Sequence, residues 1–153
     1  MQAPRHPDLL LWMSDLTDPY RVGLDVLAQT GAGQDARRNR VAELAPDFAR
    51  LAIGFAYGEV FSRPGLDLKL REFAAIAACA AMGRSAAQLR DHVAAALHLG
   101  WSKSEIVELL IQTAAHAGVP AALDALVWCH DLLAEATEDC QSCEETGSSD
   151  GQV

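Results

Sequence analysis

The stretch at residues 73–82, Phe73-Ala-Ala-Ile-Ala-Ala-Cys-Ala-Ala-Met82, is apolar on every face and constrains the fold more than any other part of the chain. Alanine has the best intrinsic helix propensity, so the stretch reads as helix. A surface helix carries one apolar stripe and one polar face, and this one has no polar face. It is therefore expected in the middle of a bundle or between subunits. No apolar run approaches the roughly 18 residues needed to span a bilayer. β-Branched residues are few and never alternate with polar ones over a strand's length, which leaves an all-α chain of about six helices. At 153 residues it has single-domain length and can bury a core without disulfides.

Breakers and caps divide the chain. A leader covers residues 1–17, and a short helix is expected over residues 20–29, ended by Gly31-Ala-Gly33. The next helix opens near Pro46, a favoured first-turn residue, and runs to about residue 61. Its stripe is Phe48, Ala52, Phe55 and then Glu59, so a carboxylate stands where the period calls for an apolar group. Ser62-Arg63-Pro64-Gly65 breaks that helix, and Asp67 caps the apolar one, which Gly83 ends. Ser85-Ala-Ala-Gln88 and Ser102-Lys-Ser-Glu105 are capping boxes, opening helices that stop at Gly100 and Gly118. On the first, Leu89, His92, Val93 and Ala96 share a stripe that points His92 inward. On the second, Ile106, Leu109, Thr113 and His116 line the inner side. Pro120 begins the last helix, whose stripe is Leu123, Leu126, Val127, His130 and Leu133, with His130 read as core. The folded domain is expected over residues 18–137, followed by an acidic, Ser/Gly-rich tail at 138–153 that reads as disordered.

The formal charge of −9 belongs mainly to that tail. From residue 135 onward there are six acids and no base, leaving 12 bases against 15 acids in the rest. This balance argues against nucleic acid as a partner. The first residues are polar and Pro-containing, and Leu9 to Met13 is too short for a signal peptide's apolar stretch. A cytoplasmic, reduced chain without membrane contact is the expectation. Cys79 and Cys129, inside apolar helical segments, then read as buried free thiols.

Period alone places Glu59, His92 and His116 on apolar stripes of three helices. A single inward histidine is more often a hydrogen-bonded core residue than a catalyst. Three such groups in one small bundle are harder to dismiss, because a buried polar group costs free energy unless partnered. A shared pocket lets them partner one another, and burial there shifts their protonation.

Several motifs follow one another in order. Tyr57-Gly-Glu-Val-Phe-Ser-Arg-Pro-Gly-Leu-Asp67 is followed by Arg71-Glu72, Leu89-Arg-Asp-His92, the turn from Gly100 to Glu105, Glu108, and Gly118-Val-Pro-Ala-Ala122. Over residues 18–134 the chain resembles the carboxymuconolactone decarboxylase family. The resemblance implies a helical fold shared with alkyl hydroperoxidase D, assembled as homotrimers or homohexamers with sites near subunit interfaces. It implies loss of CO2 from a small carboxylated lactone, γ-carboxymuconolactone giving β-ketoadipate enol-lactone, with neither metal nor organic cofactor. The family also contains members of other activity, so the resemblance fixes the fold better than the substrate.

The peroxidase branch of that fold uses a Cys-x-x-Cys pair ahead of a histidine on one helix. Aligned on His92, Ser85 and Gln88 stand in place of the thiols, so the peroxide-reducing nucleophile is missing. The remaining pair of that spacing, Cys140-Gln-Ser-Cys143, lies in the acidic tail and reads as incidental. For decarboxylation, His92 is the first candidate proton donor, and Glu59 or Glu72 sets its tautomer. Arg63 and Arg71 within the motif suit the substrate's carboxylates, with Tyr57 beside them, although salt bridges between subunits or at helix caps would explain both arginines equally well. His116 departs from the family, which usually has Tyr there, and a titratable ring at that place changes either the reaction or its pH range. Phe61 stands where Trp is common. Two other readings stay open: a related decarboxylase, isomerase or proton-transfer enzyme of a specialised pathway, and a non-catalytic oligomer that binds a small acid.

Overall fold

In a computed structural model of the chain, residues 18–31 and 36–134 are described. Among them are seven α-helices, one π-helical segment and no strand. The leader, the acidic tail and the Cys140/Cys143 pair lie outside the described residues. The chain divides between Leu66 and Asp67 into two compact units.

In the first unit, α1 (Pro19–Gln29) starts where the Asp18 carboxylate accepts from the Tyr20 amide at 3.1 Å, with Pro19 in the first turn. It ends at Thr30, whose buried hydroxyl donates to the Leu27 carbonyl at 2.8 Å. A second helix, α2 (Ala36–Leu44), was not expected from the sequence. Its charged sequence has no apolar stripe, so the period carries no signal there. The helix expected to run unbroken from Pro46 is instead α3 (Pro46–Ile53), passing into a π-helical segment (Gly54–Phe61). Two glycines let α1 lie against this segment. A Cβ on Gly23 would come within 2.6 Å of the Ile53 carbonyl oxygen, and one on Gly58 would overlap the Pro19 carbonyl.

The expected stripe of α3 faces outward in the single chain. Phe48, Leu51 and Phe55 are exposed, Phe55 at 63%, while Ala49 and Gly54 are buried. The small residues have turned inward, allowing close packing, and the large ones remain outside.

The second unit is a four-helix arrangement: α4 (Leu68–Met82), α5 (Ala86–His98), α6 (Lys103–Ala117) and α7 (Val119–Leu133). The apolar helix α4 packs against all three others, which accounts for its lack of a polar face. Its start is capped by Asp67, whose carboxylate accepts from the Leu70 amide at 2.7 Å, and it ends at Gly83 in the left-handed region, φ +61°. Ser85 accepts from the Gln88 amide to open α5. At α6 the capping box is complete in both directions, Ser102 with the Glu105 amide and Glu105 with the Ser102 amide.

The core of this unit interleaves Ile76, Cys79 and Ala80 with Leu89, Val93 and Ala96, Ile106 and Leu110, and Ala125, Cys129 and Leu133. Cys79 and Cys129 are buried free thiols, as read from the sequence. Burial pushes the Cys129 thiol up to about 11, where it stays protonated. At one end Lys69 donates to the Gly100 carbonyl, and the Trp101 indole donates to the Lys69 carbonyl and stacks on Phe73 with ring centres 4.4 Å apart. Arg90 spans α5 to α7, donating to the Trp128 carbonyl and to both oxygens of Asp131. That hydrogen-bonded guanidinium holds the Asp131 carboxyl down at about 2.

Candidate active site

The inner stripe of α5 is the one read from its sequence: Leu89, His92, Val93 and Ala96 are all buried. His92 faces α4, where Glu72 sits one turn into the helix as the lone acid ahead of the apolar run. The His92 Nδ1 and Glu72 Oε2 atoms are 2.7 Å apart, a charge-assisted hydrogen bond. Glu72 is 1% exposed and His92 9%. A carboxylate this deeply buried is costly unless a cation or donor accompanies it, and the imidazolium is that partner.

Burial alone would favour the neutral ring. Hydrogen bonds with Cys79 and with Glu72, and the charge of the carboxylate, outweigh it and hold the His92 pKa up at about 9. Expected to titrate near neutrality, the ring is instead an imidazolium there. Cys79, 7% exposed, is seven residues beyond Glu72 on α4 and so on the same helix face. From the sequence it reads as an ordinary core thiol. The spacing from Glu72 was the available signal.

The other candidates are placed as follows. Glu59, expected on a buried face, is exposed, in the π-helical segment, where it helps line a depression of about 430 Å³ with Asp18, Tyr20, Arg50 and Phe55. The bulged turns and the outward turn of the whole stripe explain the difference. Tyr57 is half-buried, its ring 5.1 Å from that of Phe61 at 46°. Arg63 is exposed in the turn after that segment. Arg71 is half-buried in the first turn of α4, next to Glu72 in the chain.

His116, expected on the inner side of α6, is exposed there, its Nε2 3.5 Å from the Gln112 side-chain nitrogen. The buried stripe of α6 runs through Ile106, Leu110 and Thr113, which puts His116 just off its edge. On α7 the buried residues are Ala122, Ala125, Cys129 and Leu133, so Leu123, Val127 and His130 face outward and His130 is not core. The three polar groups read as sharing a pocket therefore do not share one burial environment. The pair that forms is His92 with Glu72.

A second depression, about 490 Å³, is lined by Phe73, Trp101, Glu105, Glu108, Leu109 and Gln112, and neither His92 nor Glu72 lines it. Among the described residues no group of three His, Cys, Asp or Glu side chains is placed to hold a metal ion. Among the same residues no helix is long and apolar enough to cross a membrane.

The described residues are all-helical and hold a buried imidazolium–carboxylate pair between two core helices. The family model described as the carboxymuconolactone decarboxylase family matches residues 46–131. A 4-carboxymuconolactone decarboxylase of Acinetobacter baylyi is 34% identical over 109 residues, which cover 70% of this chain and 81% of that protein. An uncharacterised 15.0 kDa protein of Paracoccus denitrificans is 35% identical over 98 residues, 63% of this chain and 73% of that one. The chain belongs to the carboxymuconolactone decarboxylase family.

Proposed function

We propose that the protein is a carboxy-lyase that removes CO2 from 4-carboxymuconolactone and leaves β-ketoadipate enol-lactone. The Glu72–His92 pair carries this reading, in a chain whose Acinetobacter relative bears the name of that enzyme. As the carbon–carboxylate bond breaks, its electron pair moves through the ring double bond onto the lactone carbonyl oxygen. The substrate's own conjugated carbonyl is thus the electron sink, and the step draws on no cofactor. The resulting anion needs stabilisation at oxygen and a proton at carbon. A positioned donor to such an oxyanion is typically worth about 3–4 kcal/mol.

His92 supplies the proton. It is an imidazolium at neutral pH, and its side chain keeps 11% of its surface exposed, the edge a substrate can meet. Glu72 holds Nδ1, orients the ring and stabilises the charge before transfer. Once the proton is given, the neutral ring regains one from solvent. Arg71, in the same helix turn as Glu72, is assigned to a substrate carboxylate, where a guanidinium binds with two parallel donors. Tyr57 and Arg63 keep the binding roles that family resemblance gives them, and Arg63→Ala and Tyr57→Phe then raise KM more than they lower kcat. Self-association completes this reading: Leu51 and Phe55 on α3 and the adjoining segment, and Leu123 and Val127 on α7, are large apolar side chains left in the open.

The test is to incubate the purified protein with 4-carboxymuconolactone and follow CO2 and enol-lactone, with His92→Gln as control. Turnover that falls roughly 10²–10⁴-fold in the variant supports the reading. A folded protein that does not turn the lactone over removes this substrate and leaves a different small carboxylated acid to be sought.

A further inference from the structure

Residues 9–16, in the leader outside the described residues, read Leu-Leu-Leu-Trp-Met-Ser-Asp-Leu. At helical spacing Leu9, Trp12, Met13 and Leu16 fall on one face, at i, i+3, i+4 and i+7, while Asp8, Ser14 and Asp15 fall off it. The proposed reaction makes no use of this segment. In the first unit, Phe48, Leu51 and Phe55 stand at i, i+3 and i+7, and all three are exposed. Leu51 and Phe55 also line the depression of about 430 Å³, together with Asp18, Pro19 and Tyr20, where the leader joins α1. The charged groups around it are three acids, Asp18, Asp47 and Glu59, and one guanidinium. That guanidinium, of Arg50, is engaged with Asp18 and lies over the Tyr20 ring. A substrate with two carboxylates is repelled there, whereas an apolar segment gains contacts with Leu51 and Phe55.

We propose that the leader folds back over its own first unit, laying Leu9, Trp12, Met13 and Leu16 on Phe48, Leu51 and Phe55, with the Trp12 ring in the depression. The two stripes match in length, each seven residues from end to end, or about 10 Å of helix. Trp12 is six residues from Asp18, a span of about 9 Å as helix and at most about 20 Å extended. The ring thus reaches a depression that Asp18 itself lines. An indole buries a large apolar surface and still donates through its N–H, which suits an apolar floor rimmed by Asp47 and Glu59. A tether this short holds the segment at an effective concentration of about millimolar, which favours the chain's own leader over a neighbour's. Self-association then falls to Leu123 and Val127 of α7.

Trp12, Trp101 and Trp128 are the three tryptophans of the chain, so fluorotryptophan labelling gives three fluorine NMR signals, and Trp12→Phe identifies that of Trp12. The quantity to read is the shift of that signal when H2O is replaced by D2O, which is large for an exposed ring. The expected shift is about three-fold smaller than in the urea-unfolded chain, as for a ring packed on apolar side chains. In Leu51→Glu/Phe55→Glu it should return to the unfolded value, and in Val127→Lys it should stay as in wild type. Both replaced residues of the double variant are exposed, so neither carboxylate enters the core. Circular dichroism checks that the helices persist, and Phe55→Ser is the milder substitution should they not.

Mixing decides which chain supplies the leader. Labelled double-variant chains are refolded with unlabelled wild-type chains, and native mass spectrometry confirms that mixed species form. A Trp12 signal that stays exposed is the expected result; one that regains protection means a neighbour's leader and overturns the proposal. A Trp12 fully exposed in the wild type, or one that the double variant does not release, overturns it as well. In a monomeric wild type, protection followed by release already assigns the contact to the chain's own leader. None of these readouts involves turnover, so the proposed reaction and the docking of the leader stand or fall separately.

Discussion

The seam between α4 and α5 and the outward faces of α6 and α7 carry the same residue type in opposite settings. His92 lies in the seam, against a buried carboxylate, and is held as an imidazolium with a pKa of about 9. His116 and His130 lie on the outward faces, exposed, beside apolar side chains such as Val127 at 71% exposure. The His92 imidazole gains its fixed protonation state from a desolvated partner. The seam holds a charged pair away from water, and the outer faces leave large apolar side chains exposed.

The largest expected effect comes from breaking the pair. His92→Ala leaves Glu72 buried without its partner, and uncompensated buried charge of this kind typically costs about 3–5 kcal/mol. Chemical denaturation should show that loss, and the double variant with Glu72→Gln should recover much of it. Next is the dependence on pH. Because the folded-state pKa of His92 is raised, its stabilising contribution is complete below about 6.5 and disappears as pH rises towards about 9. The difference corresponds to about 3 kcal/mol at most. The melting temperature of the wild type should therefore fall between pH 7 and 9.5 more steeply than that of His92→Gln.

On the outer faces the effects should be small in the single chain and visible in assembly. Val127→Lys should change the stability of the isolated subunit by no more than about 0.5 kcal/mol, while shifting the species seen by light scattering towards monomer. A change in stability with no change in size would show that this face is not a contact. Smallest is His116→Ala, expected to leave unfolding within about 0.5 kcal/mol and kcat/KM within about two-fold of wild type. A ten-fold loss there would return His116 to the site and erase the contrast.

Much of the second unit was legible because its signals are local. Asp67, Ser85 and Ser102, with Gly83, Gly100 and Gly118, mark ends that the backbone then obeys. The α5 stripe was correct because large apolar residues and His92 share one face there. On α7 the same rule failed. Ala122, Ala125 and Cys129 face inward since small groups let helices close up, and a period read by size picks the opposite face. Glu59 was misplaced for a similar reason, compounded by a π-helical segment that no periodicity of 3.6 describes. The α2 helix has no apolar pattern to read. As to the site, Glu72 and His92 were both singled out, but their pairing depends on α4 lying beside α5. The raised pKa depends on that pairing in turn, and Cys79 becomes visible only with it.

The proposed reaction uses a protonated His92. Its most direct test is the kcat/KM of the wild-type protein for 4-carboxymuconolactone from pH 6 to 9.5, with spontaneous lactone opening subtracted. Activity should hold through pH 8 and fall as His92 loses its proton near 9. Activity that instead rises through pH 6.5 to a plateau that persists at pH 9.5 would mean that a neutral ring does the work, and would contradict it.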